Sequence, residues 1–318
     1  MPAQIFAMMG FTLILLFGFL FGVLAAVGYY FGFSGYTVVF LAIILVIVQW
    51  LISPQIIRWT TNMQEISKKE YPWLFEIVEK VTKKTKTPMP KKVMVVNSGG
   101  PNAFVFGRTP GNATLCVTRG LLKTLNRDEV EAVVAHEIGH INHKDMVVMT
   151  FASAIPTIMY FIAQFLIYTP NDRDRKNAGA AVLVGFFAFI IYFITNLLVL
   201  ALSRFREYYA DRFSAQQGNS KTLANALAKI TYGLSLARDQ KNEAVRALYI
   251  ADPISAAGEI SRFSNEYQDL ELTESEIKKA MEWERSNFFA RISEIFSSHP
   301  LSWKRILALQ KIENEIKK

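Results

Sequence analysis

The stretch that decides this sequence is "VEAVVAHEIGHINHKD", residues 130–145. Three of the chain's four histidines fall inside it: His136, His140 and His143. The fourth is His299. Val130, Val133, Val134 and Ile138 keep helical spacing, and Asn126 with Glu129 three residues on predicts a capping-box start to that helix. On a helix, His136 and His140 stand on one face, about 40° apart around the axis, so two imidazoles can converge on one ion. Glu137 lies about 100° round from His136, where it can serve as a general base. This is the H-E-x-x-H pattern of two zinc ligands and a catalytic glutamate. A chance pair of histidines is the competing reading. Three histidines in eight residues of a histidine-poor chain speak against it.

Catalytic zinc takes three protein ligands and keeps one position open. His143 shares nearly the same helix face as His136 but lies about 10 Å further along the axis, too far for both to meet one ion with His140. It also stands where the longer metzincin pattern requires glycine. We read it as a polar residue beside the site. The third ligand is sought in "SRFREYYADRFSAQQ", residues 203–217. There Glu207 and Asp211 are four apart on a predicted helix, where like charges repel unless a cation or an imidazole N–H separates their tasks. Two readings are open. Glu207 ligates the metal while Asp211 accepts a hydrogen bond from a ligand histidine. Alternatively, both acids end an interfacial helix and are neutralised by Arg204, Arg206 and Arg212. Spacing alone leaves these level.

Outside this motif, charge is unevenly distributed. The chain has 318 residues, 51% hydrophobic and only 19% charged, with a net charge of +8. No charged residue precedes Arg58, and residues 146–171 and 177–203 are also charge-free. Apolar stretches at or above about 18–20 residues are membrane-span candidates. The first is long enough to cross twice, with "GFSGY" (32–36) as the turn. Four spans are expected, near 6–30, 37–56, 147–169 and 179–202. As buried core helices they would need a very large core. The first lacks a basic flank and exceeds the about 7–15 apolar residues of a signal peptide, so it reads as a retained anchor. A transporter would place ionisable groups within its spans; these have none.

The organisation expected is a membrane hairpin (1–57), a catalytic segment (58–145), a second hairpin (146–203) and a helical segment (204–318). Residues 54–145 carry fourteen Lys and Arg against nine Asp and Glu. In a chain with spans this basic balance reads as the positive-inside bias rather than as nucleic-acid binding. It places both polar segments and both termini in the cytoplasm of a multi-pass cell-membrane protein. The loop 170–177, with three bases and two acids, weakens the bias slightly. Cys116 is alone, which excludes an intrachain disulfide and fits a reducing compartment. Within "ATLCVT" it reads as a packed strand residue. Residues 93–97, 102–107 and 113–118 are expected strands, the last two joined by a turn at 108–112. The charged run 266–287 is expected to be solvated or a mobile flap. The fold class is mainly α with a small β-sheet: a zincin-type HExxH domain combined with four transmembrane helices.

"HEIGHINHKD", then "REYYADRFSA" (206–215) and "FSSHPLSWKRI" (296–306), with "NAFVFG" (102–107) ahead of them, resemble membrane metallopeptidase family M48 in its heat-shock protease branch. The resemblance covers most of the chain. It implies that His136, His140 and Glu207 ligate one zinc ion per chain and that Glu137 is the catalytic acid/base. Asp211 would hold a ligand histidine. The family's Gly-rich context after that aspartate is replaced here by "RFSAQQG". On the residues alone, His299 is a surface histidine at a helix start, with Pro300 at the first position. The resemblance instead brings His299 and Arg305 to the site, as donors to the oxyanion or to the substrate backbone. The strand at Asn102, Ala103 and Phe104 could pair with an extended substrate.

The activity implied is endopeptidase cleavage of misfolded or membrane proteins at the cytoplasmic membrane surface, in quality control. The charge-free stretches begin six residues after His140 and end four before Glu207. That places the zinc on the order of 10 Å from the membrane boundary. The expected partners are protein or peptide substrates and the bilayer, with no nucleic acid. The rivals are a CAAX prenyl-protein endopeptidase of the same family and a zinc-binding membrane scaffold without activity. Glu137 speaks against the scaffold.

Overall fold

The computed structural model describes residues 2–32, 34–168, 178–232 and 274–316. In chain order its main elements are α1 (Pro2–Phe31), α2 (Gly35–Thr60), β1 (Met63–Glu65), α3 (Pro72–Thr85), β2 (Lys92–Val96), β3 (Ala103–Phe106), β4 (Thr114–Thr118), α4 (Arg119–Thr124), α5 (Arg127–Asn142), α6 (Asp145–Tyr168), α7 (Ala178–Ser214), α8 (Ser220–Tyr232), α9 (Glu274–Ser286), α10 (Phe288–Ser293) and α11 (Ser302–Ile316). The protein is mainly helical with one four-stranded sheet. The chain divides into two units, Met1–Ser53 with Val147–Leu202, and Pro54–Met146 with Ser203–Lys318.

The first unit is built from α1, α2 up to Ser53, α6 from Val147 and α7 up to Leu202; among the described residues, four helices are long and apolar enough to cross a membrane, and these stretches belong to them. Its interior is apolar, with Leu16, Leu20, Ile155, Met159 and Leu202 buried. Its exterior is apolar as well: Phe6, Ile14, Phe40 and Phe187 are all exposed. A hydrocarbon solvent tolerates such a surface and water does not. The few polar side chains bond within the unit. Thr12 and Thr195 donate to the carbonyls of Met8 and Ile191, and Gln49 donates to Ser153 at 3.1 Å. Ser34 opens α2 by accepting from the Thr37 N–H. Gly32, at φ 68°, lies in the turn before it. The expected loop 170–177 lies outside the described residues.

The second unit carries the sheet, in the order β1-β2-β4-β3. β2 and β4 run parallel, with Val93 beside Leu115. β1 and β3 are antiparallel to their neighbours. Side chains alternate between the two faces with period two. Val93, Val95, Leu115 and Val117 enter the main core with Leu74 and Val78 of α3, Val133 and Ile138 of α5, Leu223 and Leu227 of α8 and Leu309 of α11. Met94, Val96, Phe104, Phe106 and Cys116 form the other face, against which Ile57 and Met63 pack. Burial, with the Glu137 charge adding to it, pushes the Cys116 thiol pKa far up, as suits an inert packed residue. α5 starts where the sequence predicts: Asn126 accepts from the Glu129 N–H and the Glu129 carboxylate accepts from the Asn126 N–H.

Two local expectations change. Helix α11 begins at Ser302, so Pro300 precedes it rather than occupying its first position. The reason is a cap from elsewhere in the chain: the buried Glu284 carboxylate accepts from the N–H groups of Ser302 and Trp303. The charged run 266–287, expected to be solvated or a mobile flap, keeps Lys278, Lys279, Glu282 and Arg285 exposed but packs its other face. Its residues Glu274–Ser286 form α9, whose Ile277, Met281 and Trp283 pack on the main core. Residues 266–273 lie outside the described residues.

Candidate active site

Helix α5 is buried on almost every side, and His136, Glu137 and His140 are all at most 9% exposed. A closely packed neighbour makes this possible. A Cβ added at Gly139 would stand 3.2 Å from the Phe213 Cβ and 3.3 Å from the Ala210 Cα. With hydrogen there instead, the end of α7 lies directly against α5. Ser214 secures the contact by donating to the Ala132 carbonyl at 2.8 Å. Glu207 and Asp211, one turn apart on that face of α7, thereby meet His136 and His140.

The Nε2 atoms of the two histidines are 3.2 Å apart. Glu207 Oε2 lies 3.5 Å from His136 Nε2, and Glu207 Oε1 lies 3.4 Å from His140 Nε2. One ligand atom from each of the three residues falls within 4.8 Å of the others, close enough to share one metal ion. The far ring nitrogens are anchored separately. His136 Nδ1 lies 3.0 Å from Asp211 Oδ1, and His140 Nδ1 lies 2.6 Å from Asp145 Oδ2. An imidazole that gives its Nδ1–H to a carboxylate presents Nε2 as a lone-pair donor, the usual arrangement around protein-bound zinc.

The donor set fits zinc chemically: two imidazoles and one carboxylate are a catalytic zinc set. The surrounding charge fits too. Glu137, Asp145, Glu207 and Asp211 are buried, and Arg206 and Arg305 are the buried cations that accompany them. Four carboxylates against two guanidiniums leave room for a dication. The imidazoles respond to this excess. Burial opposes their charging, but Asp211 and Glu207 outweigh it and raise the pKa of His136. Asp145 and Glu207 likewise hold His140 up at about 10. Burial, with a contribution from the Glu207 charge, raises the Glu137 carboxyl above the ordinary range, while the charges of His140 and His136 oppose the shift. A carboxyl raised in this way is better matched to taking and returning a proton than an ordinary glutamate.

Arg305 is fully buried and reaches both acids of α7. Its Nε donates to Asp211 Oδ2 at 2.8 Å and its Nη2 to Asp211 Oδ1 at 2.6 Å, while Nη1 lies 3.1 Å from Glu207 Oε2. His299 Nδ1 lies 3.0 Å from the same Glu207 oxygen. The structure thus brings His299 and Arg305 to the metal-ligand cluster, on its Glu207 side. Burial alone would raise the Glu207 and Asp211 pKa values, but His299 and Arg305, with His136 and His140, hold the Glu207 carboxyl well below the usual range, and Arg305 with His136 holds that of Asp211 below it. The arginines of the interfacial-helix reading serve other partners. Arg206 pairs with Asp145 at 2.9 Å, Arg204 donates to the carbonyls of Glu294, Ile295 and Ser297, and Arg212 lies 3.8 Å from Glu315.

His143 is not in the cluster. It caps the C-terminus of α5, with its ring edge-on to Tyr209 and Phe213. Asp145 is the site residue that the sequence reading missed. Lys144, at φ 59°, breaks the helix, and the chain turns so that Asp145 comes back to His140. The available signal was a lone acid directly before a charge-free stretch, a position where an unpaired carboxylate is costly. Ala103 and Phe104, at the start of β3, and Asn102 just before it are buried, backbone included. β3 is an edge strand, and among the described residues it pairs with β4 alone.

Comparison with known proteins agrees with this geometry. A family model described as Peptidase family M48 matches residues 68–313. A Protease HtpX homolog from Methanothermobacter thermautotrophicus is 40% identical over 237 residues, covering 73% of this chain and 88% of that protein. One from Thermoplasma acidophilum is 32% identical over 314 residues, covering 94% of each. Among solved structures, the crystal structure of S. mikatae Ste24p superposes with a TM-score of 0.52 at 17% identity, a likeness of fold. The match covers 96% of this chain and 63% of that one.

Proposed function

The chain belongs to peptidase family M48, and on that premise we propose that this HtpX-like membrane zinc metallopeptidase cleaves misfolded or membrane proteins at the cytoplasmic membrane surface, in quality control. The observation that carries this reading is the convergence of His136, His140 and Glu207 within 4.8 Å, beside a buried Glu137 of raised pKa. We assign one zinc ion per chain to that set. When bound, zinc supplies Lewis-acid polarisation of the scissile carbonyl and makes water easier to deprotonate. Glu137 takes the proton of the attacking water and later delivers it to the leaving amine. Asp211 and Asp145 hold the two imidazoles with Nε2 toward the ion. We assign His299, beside the Glu207 carboxylate, as a donor to the oxyanion or to the substrate backbone. Arg305, expected beside His299 as such a donor, is fully buried and forked onto Asp211 and Glu207, so we assign it instead to hold the third ligand in position.

β3 is the proposed substrate platform. The Thr118 N–H donates to the Asn102 carbonyl and the Asn102 N–H donates to the Thr118 hydroxyl, so in this antiparallel pair Phe104 and Phe106 also direct their backbone groups to β4. Val105, half-buried, then turns its N–H and C=O to the edge away from β4, where an extended peptide can add as a strand, while Ala103 is covered. Recognition by strand addition runs through backbone and is sequence-tolerant, as a quality-control protease needs. Glu207 lies on the same unbroken helix as the fourth candidate span, five residues past Leu202. That proximity in sequence favours membrane proteins, their loops and their tails as substrates. The basic balance of 54–145 supports a cytoplasmic location for both polar segments.

The decisive experiment is zinc-dependent cleavage of unfolded casein by the purified protein in detergent, with Glu137→Gln as control. We expect the variant to keep its zinc and lose turnover. Turnover near wild type in the variant would refute the mechanism, and a zinc-loaded wild type inert on every peptide would favour the scaffold. Cleavage of a prenylated CAAX peptide in preference to casein would favour that alternative.

A further inference from the structure

A cavity of about 420 Å³ lies where the end of α2 meets the strands, lined by none of the residues of the zinc site. Four cations line it: Arg58 on α2, Lys91 and Lys92 at the start of β2, and Arg108 just after β3. No acidic residue is among the described residues that line it. Glu65, outside the lining, pairs with Lys92, and Lys91 Nζ lies 3.5 Å from Asn112 Oδ1. The Arg58 guanidinium sits 6.0 Å above the ring of Phe106, which orients it. The turn 107–112 is shaped by Gly107, where a Cβ would stand 2.7 Å from the Asn112 carbonyl oxygen. Grouping four positive charges around one concavity is unfavourable by itself and is relieved by a bound anion.

The helix says which anion. Pro54, Gln55 and Arg58 belong to α2, whose charge-free apolar run ends at Ile57. Trp59, next to Arg58, is 79% exposed, and tryptophan at the end of a span settles at headgroup depth. The cavity is therefore attached to the last turns of a membrane helix, where phosphodiester groups are the abundant anions. We propose that it binds the phosphate-bearing headgroup of an anionic membrane phospholipid. Phe106 ends β3 and Gly107 follows it, so a bound headgroup also fastens the strand offered to substrate.

The test is titration of delipidated full-length protein in detergent with phosphatidylglycerol and with phosphatidylcholine, read by native mass spectrometry. We expect one saturable phosphatidylglycerol site and at least about tenfold weaker phosphatidylcholine binding. R58Q/R108Q should weaken phosphatidylglycerol roughly thirtyfold, the combined effect of two interfacial charges. K83Q/K123Q removes two exposed lysines elsewhere and should shift binding less than about twofold. Zinc content serves as the folding control, and K91Q, a single change at an exposed position, carries the test if the arginine pair fails to fold. Equal weakening in K83Q/K123Q would overturn the site in favour of diffuse surface charge. Displacement of the lipid by equimolar inorganic phosphate would assign the cavity to a free anion instead. A polyglutamate peptide that depends on Arg58 and Arg108 while phosphatidylglycerol does not would assign it to an acidic polypeptide.

Discussion

Replacing Asp145 by asparagine keeps the side chain's shape and removes its charge. Asp145 Oδ2 lies 2.6 Å from His140 Nδ1 and Oδ1 lies 2.9 Å from Arg206 Nε. Both contacts are with donors, and an asparagine has one acceptor oxygen. If that oxygen stays with His140, the amide NH2 faces the Arg206 N–H; if it turns, His140 loses its anchor. Either way a charge-assisted hydrogen bond worth about 1.5–3 kcal/mol is weakened or lost at a buried position, Asp145 being 3% exposed. Loss of such an orienting partner lowers metal affinity about 10–100-fold, which is about 1.4–2.8 kcal/mol. The assay is zinc competition against a fluorescent chelator, with circular dichroism to show that the fold is kept. At saturating zinc the variant should recover most of its kcat, because we place Asp145 behind His140 rather than against substrate. A zinc Kd within about twofold of wild type would refute the argument that Asp145 orients His140. A kcat still lost at saturating zinc would show that its role is not confined to metal binding.

The remaining predictions concern the ligands, the late motif and topology. Glu207→Ala should reduce zinc content by atomic spectroscopy while His143→Ala leaves it unchanged; the reverse result would move the third ligand to His143. His299→Ala should cut kcat on the order of a hundredfold with zinc retained, whereas Arg305→Met, which strands two buried carboxylates, should cost about 3–5 kcal/mol of stability in denaturant unfolding. An unchanged denaturation midpoint for Arg305→Met would remove its clamping role. Cysteines introduced at Ser98 and Asn171 should label from opposite sides of oriented vesicles, against the low background of the buried Cys116; labelling of both from one side would overturn the cytoplasmic assignment.

Much of the zinc site was legible because its signals are local. The period that makes α5 a helix is written within sixteen residues, and the same period puts His136 and His140 on one face. The capping pair Asn126 and Glu129 is three residues apart, and the structure forms both of its hydrogen bonds. Absence of charge over long runs marks the four apolar helices, since hydropathy needs no partner to be read. Asp145 was missed although it is only five residues from His140, because its approach depends on the break at His143 and Lys144 rather than on helical spacing. Within the charged run, the role of Glu284 was not legible for a related reason: a buried acid that caps another helix looks, in sequence, like any solvated one.

The sequence by itself determined which residues could bind zinc, where the apolar helices run and which glutamate could move a proton, all properties of residue type and short periodicity. It left Glu207 level between two readings and gave no partner to Arg305 on spacing alone. Arg305 lies 94 residues from Asp211. Only the tertiary structure could unite them, because their contact follows from how closely α7 packs on α5 and from where α11 starts. Gly139 and Glu284 decide those two things through a missing Cβ and a distant cap, and neither leaves a periodic trace in the chain.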